Sequence, residues 1–323
     1  MHTGRMSGAG PASSFFCIFA EQIGKNSFMK RGVVIALAMV LLVAGCRKPD
    51  NPPVPDNGID FSACVGGYGT AGFEIVTFNV QTFPRSGYES VQVLASLIRE
   101  MDADLIAFQE VASEADFEKL DELLAGYRGI FYPVNNSDWN LAYLYKTAEI
   151  AVDEEKTAVL FTGDWYAFPR PPFEIHITHL PSGISSVVIN NHLKCCGGSD
   201  NEARRRTASD QLHAYVLTNY PEVPVIILGD LNDDIIGTTE EENVFWSFTN
   251  DPDHFAFTDM DIAAGSPARW SYPSWPSHLD HIIVSDEWFP YVDTCLVFKP
   301  EACYSLYPDV ISDHRPVFLR LTQ

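Results

Sequence analysis

The stretch VIILGDLND, Val225 to Asp233, decides how this chain folds. Four apolar residues, Val225 to Leu228, run without alternation into Gly229. A short, wholly apolar run bounded by turn residues predicts a strand buried on both faces. Its end opens into a loop bearing Asp230 and Asn232, which the two-residue period of a strand points the same way. Several other apolar runs here end likewise, in a polar residue suited to a metal or a phosphate.

Those runs lie on both sides of Val225. Upstream, Phe73–Phe78 stops at Asn79, and Leu105–Phe108 ends in Gln109-Glu110. Leu141–Lys146 and Thr157–Phe161 are predicted strands, and Ser186–Ile189 runs into Asn190-Asn191-His192. Downstream, His281–Ser285 follows Leu279-Asp280, and Val317–Leu321 follows Ser312-Asp313-His314-Arg315-Pro316. Helices are few. Ser90–Met101 carries Val91, Leu94, Ala95, Ile98 and Met101 at helical spacing. Ser113 is placed to cap a helix through Leu124 that Gly126 closes. Glu202–Tyr220 would turn Ala208, Leu212, Tyr215 and Val216 inward. Many strands with few helices between them predict two packed sheets with helices outside. The spacing is too irregular for a doubly wound dinucleotide fold, and no GxGxxG opens the first strand.

The 323 residues, 46% of them hydrophobic, suffice for one large domain. A formal charge of −22 argues against holding nucleic acid by bulk electrostatics, because non-specific affinity comes from Lys and Arg neutralising phosphates. It leaves room for a nuclease with a local basic strip and a bound cation. Clustered carboxylates suit hard divalent metals. None of the seven cysteines sits in a CxxC pair, which argues against zinc. Cys295 and Cys303 flank a short segment and are the candidate disulfide pair in an oxidising compartment. Cys195 and Cys196 are direct neighbours, where a bridge is strained and uncommon.

Residues 1–28 show no periodic pattern and are expected to be a mis-annotated extension or disordered, with Met29 the true start. Lys30-Arg31 and the apolar run Val33–Ala44 have the character of a secretory signal, and the run is short for a membrane span. It ends Leu42-Val43-Ala44-Gly45-Cys46, which resembles the lipobox of bacterial lipoproteins. Cys46 is therefore the expected lipidated N-terminus. Residues 47–60, rich in proline, read as a tether, and 61–323 as the catalytic domain.

Asn79, Glu110, His192, Asp230, Asn232, Asp280, Asp313 and His314 all lie where an apolar strand begins or ends. Singly, each has a structural explanation, as a turn residue, a helix-start acid or a satisfied histidine. Together they repeat one placement. Carboxylates, amides and imidazoles without cysteine are what metal-assisted phosphoester hydrolysis needs. A cation neutralises phosphate oxygens, a carboxylate deprotonates water, and imidazoles stabilise the developing charge.

On these blocks the chain resembles the endonuclease/exonuclease/phosphatase superfamily, which includes deoxyribonuclease-like enzymes. The matching pieces run in family order: Phe78-Asn79-Val80, Asp104 to Val111, Asn191-His192-Leu193-Lys194, Gly229-Asp230-Leu231-Asn232, Leu279 to Ile283, and Ser312 to Val317. The resemblance implies a four-layer α/β sandwich and a Mg²⁺-dependent hydrolase, with Mn²⁺ an alternative ion. It implies Glu110 as principal metal ligand, with Asn79 and Asp313 beside it. Asp230 would activate water, with Asn232 supporting it. His192, His314 and Asn79 would contact the phosphate, and Asp280 would fix the tautomer of His314. Gln81 stands where some members carry an acid, and His281 where some carry an aromatic.

The expected activity is an extracytoplasmic nuclease, lipid-anchored to the bacterial envelope and monomeric. The alternatives are a phosphatase or phosphodiesterase for a small or lipid phosphoester, such as an inositol phosphate or a sphingomyelin-like head group, and a non-catalytic binding lipoprotein. Lys194, Arg204, Arg205, Arg206 and Arg170 are candidates for a phosphate-binding strip. Trp139, Trp270, Tyr272 and Trp275 are candidates for stacking on bases.

Overall fold

The computed structural model describes residues 58–66, 72–134 and 138–322. The leader, Cys46 and residues 47–57 of the tether lie outside the described residues. Ile59 already packs against the core, and Phe61 is fully buried.

Among the described residues twelve strands form two six-stranded mixed sheets. The first sheet holds β1 (Phe73–Phe83), β2 (Leu105–Val111), β3 (Tyr127–Tyr132), β4 (Asn140–Lys146), β11 (Val292–Val297) and β12 (Val317–Leu321), in the order β11-β12-β1-β2-β4-β3. The second holds β5 (Ile150–Val159), β6 (Phe173–His179), β7 (Ile184–His192), β8 (Val225–Asp230), β9 (Phe255–Phe257) and β10 (Asp280–Ser285), in the order β5-β6-β7-β8-β10-β9. At the centre of each sheet two strands run parallel, β1 beside β2 and β7 beside β8. The other ladders are antiparallel.

The apolar runs lack alternation because both of their faces are covered. Ile226 and Leu228 of β8 face the other sheet, meeting Ile75, Leu105, Leu141 and Val317. Val225 and Ile227 face outward onto α4 (Ser199–Asn219), packing with Ala208, Leu212 and Val216. On the far side, Val76, Phe78, Ile106 and Phe108 pack under α2 (Tyr88–Met101) and α3 (Glu114–Leu123). Helix, sheet, sheet and helix are stacked as four layers. Ser113 caps α3 by accepting from Asp116 N at 3.2 Å.

The inward-facing positions of the central strands continue past the core into polar residues. Ile75, Thr77 and Asn79 share one face of β1, and Ile226, Leu228 and Asp230 share one face of β8. Two expectations need correction. The strand expected at Thr157–Phe161 runs from Ile150 to Val159. The disulfide joins Cys64 to Cys303, with Cα atoms 6.2 Å apart, and Cys295 is free. The bridge ties α1 (Ser62–Val65) to the 3-10 turn Pro300–Ala302, packing partners 239 positions apart in sequence.

Candidate active site

The strand register assembles the site. His192 pairs with Asp230 in the β7/β8 ladder, and Asp230 pairs with Asp280 in the β8/β10 ladder. Gly229 makes the crossing possible. A Cβ there would lie 1.9 Å from the Asn191 carbonyl oxygen, and its φ of +144° is one that side chains rarely adopt. Asn79 and Glu110 arrive from the first sheet, where the β1/β2 register breaks between Asn79 and Phe83. Gln81, Thr82, Glu110 and Asn232 all have positive φ. With Cys196, at φ +77°, five such non-glycine residues surround one cleft and mark a site held in place by its surroundings.

Asn79 joins the two halves. Its Nδ2 donates to Asp230 Oδ2 at 2.9 Å and to Glu110 Oε1 at 3.1 Å, while its Oδ1 accepts from Gln81 N. The Asn79 amide thus presents its nitrogen to both carboxylates. Glu110 Oε2 also accepts from Thr82 N and Oγ1. Asp230 Oδ1 accepts from Asn232 N, and Asn232 Nδ2 reaches across to Leu193 O. Asn232 therefore supports Asp230 through its backbone.

The two histidines differ. His314 Nδ1 lies 2.8 Å from Asp280 Oδ2, and its Nε2 lies 3.9 Å from Asp230 Oδ2. Burial works against its charge, but Asp280 and Asp230 outweigh it and hold the imidazolium to about 10. His192 Nε2 lies 3.6 Å from Asp230 Oδ2 and 3.8 Å from Glu110 Oε1. Burial, Arg170 and His314 push His192 well below its ordinary value, so it is neutral. Asp230 is pushed up to about 7, chiefly by burial, with His314 opposing and Asp280 and Glu110 adding to the rise.

The donor set fits a divalent cation. Glu110, His192 and Asp230 bring one ligand atom each within 4.8 Å of one another. Asp313 Oδ1 is buried with no hydrogen-bond partner, while its Oδ2 accepts from Gln81 Nε2 at 2.8 Å. Gln81 also accepts from Asp313 N. Its neutral amide clamps Asp313 where a carboxylate would repel it.

All eight expected residues converge on this end of the sandwich. Asn79 and Asp280 lie beneath it, fully buried, and the other six line a cleft of about 920 Å³. Among the described residues of that lining the only Lys or Arg is Arg205. Its guanidinium is committed to Asp233 at 2.7 Å and to the carbonyl oxygens of Lys194 and Cys196. The expected phosphate strip is corrected accordingly. Arg170 donates to His192 O and Leu193 O, Arg204 to Trp165 O and Tyr166 O, Arg206 to Asn243 O and Glu241 O, and Lys194 Nζ to Cys195 O. These cations brace loops. Trp270, Tyr272 and Trp275 do line the cleft, whereas Trp139 lies under Arg170 and not in the lining.

The chain matches the sequence model of the endonuclease/exonuclease/phosphatase family over residues 76–314. It belongs to that family. Members are phosphoester hydrolases, typically dependent on divalent metals. No curated protein matches the chain by sequence. Solved structures share the fold at low identity. A mannosyl-6-phosphatase of Bacteroides thetaiotaomicron is 15% identical with a TM-score of 0.59, over 78% of this chain and 100% of that one. TDP2 of D. rerio, complexed with a single-strand DNA product, is 12% identical with a TM-score of 0.59, over 79% and 100%. The human Nocturnin catalytic domain with bound sulfate is 16% identical with a TM-score of 0.57, over 77% and 93%.

Three features of this family member escaped sequence reasoning. Tyr272 packs its ring on His314 at 4.7 Å. Gln81 holds Asp313, as above. Behind the site, His281 places Nδ1 2.6 Å from Asp259 Oδ2 and Nε2 2.9 Å from Asp233 O. Neither oxygen can donate, so His281 carries both protons, and Asp259 with His278 completes a buried charge network. The aromatic character of Tyr272 and the departures from the family pattern at Gln81 and His281 marked these residues; what each one holds depends on distant partners.

Proposed function

We infer that this protein is a metal-dependent phosphoester hydrolase, acting on a small phosphoester. The observation that carries the chemistry is the convergence of Glu110, Asp230, Asp313 and His314 on one cleft around Asn79. Glu110, in the donor group it forms with His192 and Asp230, would hold a divalent cation, Mg²⁺ or Mn²⁺, with Asp313 Oδ1 beside it. When bound, it would neutralise the phosphate oxygens and the leaving group. Asp230 accepts a proton from the attacking water, held in place by Asn79 and Asn232. His314, kept charged by Asp280, donates from Nε2 to a phosphate oxygen. Neutral His192 offers a hydrogen bond to the same group.

The cation inventory favours a small substrate over nucleic acid. Tracking a polynucleotide backbone takes several uncommitted cations, and the cleft offers carboxylates instead, with Glu202 and Asp234 on its walls. The mannosyl-6-phosphatase among the structural relatives supports a small phosphoester; TDP2 with its DNA product supports the nuclease alternative. Intact Glu110, Asp230, Asp313 and His314 weigh against a non-catalytic binding lipoprotein.

Lipid anchoring at Cys46, outside the cytoplasm, belongs to the same proposal. The Cys64–Cys303 bridge supports an oxidising compartment.

The test is hydrolysis by the purified protein, treated with EDTA and then resupplied with Mg²⁺ or Mn²⁺. The panel would hold sugar phosphates, inositol phosphates, sphingomyelin and DNA. Metal-restored turnover of a small phosphoester supports the proposal. Turnover indifferent to chelation, or confined to DNA, refutes it.

A further inference from the structure

Cys195 and Cys196 form part of the cleft wall. Their sulfurs are 2.8 Å apart, Cys195 is half-buried and Cys196 is exposed. Cys196 has φ +77°, a backbone conformation that turns it out of an extended course. The carbonyl oxygens of Lys194 and Cys196 are both gripped by Arg205, which is itself 2% exposed. Lys194 Nζ stands 3.6 Å from Cys195 Sγ. Among the described residues no other cysteine competes, since Cys64 and Cys303 bridge each other and Cys295 lies in β11 of the other sheet.

We propose that Cys195 and Cys196 are a redox-modification site that closes to a vicinal disulfide, forming a fixed wall of the substrate cleft. The oxidant is a small-molecule or protein disulfide. The exposed Cys196 thiolate attacks it, forms a mixed disulfide and releases one thiol. The Cys195 thiolate, with Lys194 Nζ 3.6 Å from its sulfur, then attacks Cys196 Sγ and releases the second thiol. Two protein thiols and one disulfide become one protein disulfide and two thiols, so electrons and protons balance. Adjacent Cα atoms stand about 3.8 Å apart, below the usual disulfide span of about 4.4–6.8 Å, so the bond is strained and readily reduced. Arg205 holds the carbonyl oxygens of this loop, and the sulfurs already face each other. Closure removes freedom from the loop of residues 194–198, which borders the reacting centre at His192.

The protein, equilibrated with oxidised glutathione, is unfolded, its free thiols are alkylated, and it is digested with trypsin. The expected peptide, Cys195–Arg204, carries no alkyl group and is lighter by two hydrogens than the dithiol. Mild reduction restores both alkylation sites while Cys64–Cys303 persists. Alkylation of both cysteines after oxidation, or glutathione held on one of them, overturns the proposal. The role in the cleft wall rests on the phosphoesterase assignment and has its own readout. Reduction is expected to raise KM for the best substrate about three-fold or more in the wild type, and to give a ratio near one in Cys196→Ser. Equal KM in both redox states of the wild type overturns that role, and the peptide result stands whether or not any substrate is turned over.

Discussion

Asp230 and Asp280 lie directly opposite each other on adjacent antiparallel strands, both buried, with Asp230 at the floor of the cleft. Two like charges so placed raise each other's cost. The structure separates their tasks. Asp280 gives its carboxylate to His314 Nδ1 at 2.8 Å, and Asp230 turns to Asn79 and the cleft. In the proposed chemistry one carboxylate sets the charge of an imidazole and the other takes a proton from water.

Replacing Asp280 tests that division. Asp280→Asn removes the charge that holds His314 protonated and disturbs its tautomer. The expected result is a kcat lower by about 100-fold or more, with the alkaline limb of the pH profile moved to lower pH. An unchanged alkaline limb would separate Asp280 from His314.

The pH dependence follows from Asp230 and His314. Asp230 must be ionised to take a proton, so activity climbs as pH rises through about 7. His314 must be protonated to donate, so activity falls as pH rises through about 10. A bell-shaped kcat/KM profile with its plateau between those limbs is expected, and pH–rate measurement across that range checks it.

Gly229 is a structural requirement of the site. Gly229→Ala sets a methyl group against the Asn191 carbonyl at a φ suited only to glycine. The expected loss is about 3 kcal/mol or more of unfolding free energy, read by urea denaturation. Activity should fall with it, because Asp230 is the next residue.

Glu74 makes stability depend on pH in a fold-wide way. It is buried, its Oε1 has no hydrogen-bond partner, and burial with Asp104 nearby pushes its carboxyl up to about 7. The folded state holds this proton more tightly than the unfolded chain. Its contribution is full below the ordinary carboxylate value and is lost as pH rises through about 7. Glu74→Gln should stabilise the protein by about 1–2 kcal/mol near pH 8 and change little near pH 4. Urea midpoints at the two pH values decide it.

Much of this was legible in the sequence because the site sits where buried strands end. Five strands announce themselves as apolar runs closed by Asn79, Glu110, His192, Asp230 or, at the start, Asp280. The residues that follow the family blocks needed no tertiary knowledge. The edge strands β3, β9 and β11 were not legible, and neither was β6, which pairs with β5 and β7 inside its sheet. β3 and β11 are half-covered, and β9 has only three residues, so their patterns are weak. Arg205 was misread for a different reason. An arginine that binds phosphate and one that braces a loop look identical in sequence, and only Asp233 and two carbonyl oxygens decide between them. Cys303 was assigned to near Cys295, because proximity in sequence is visible and packing of α1 against the Pro300–Ala302 turn is not.

Asp230→Asn carries the account most directly. The substitution keeps the shape and the hydrogen bond capacity at the centre while removing the proton acceptor. With Mg²⁺ or Mn²⁺ saturating and the fold confirmed by unchanged circular dichroism, kcat on the best phosphoester should fall by about 100-fold or more. Turnover within a few-fold of wild type would contradict the account.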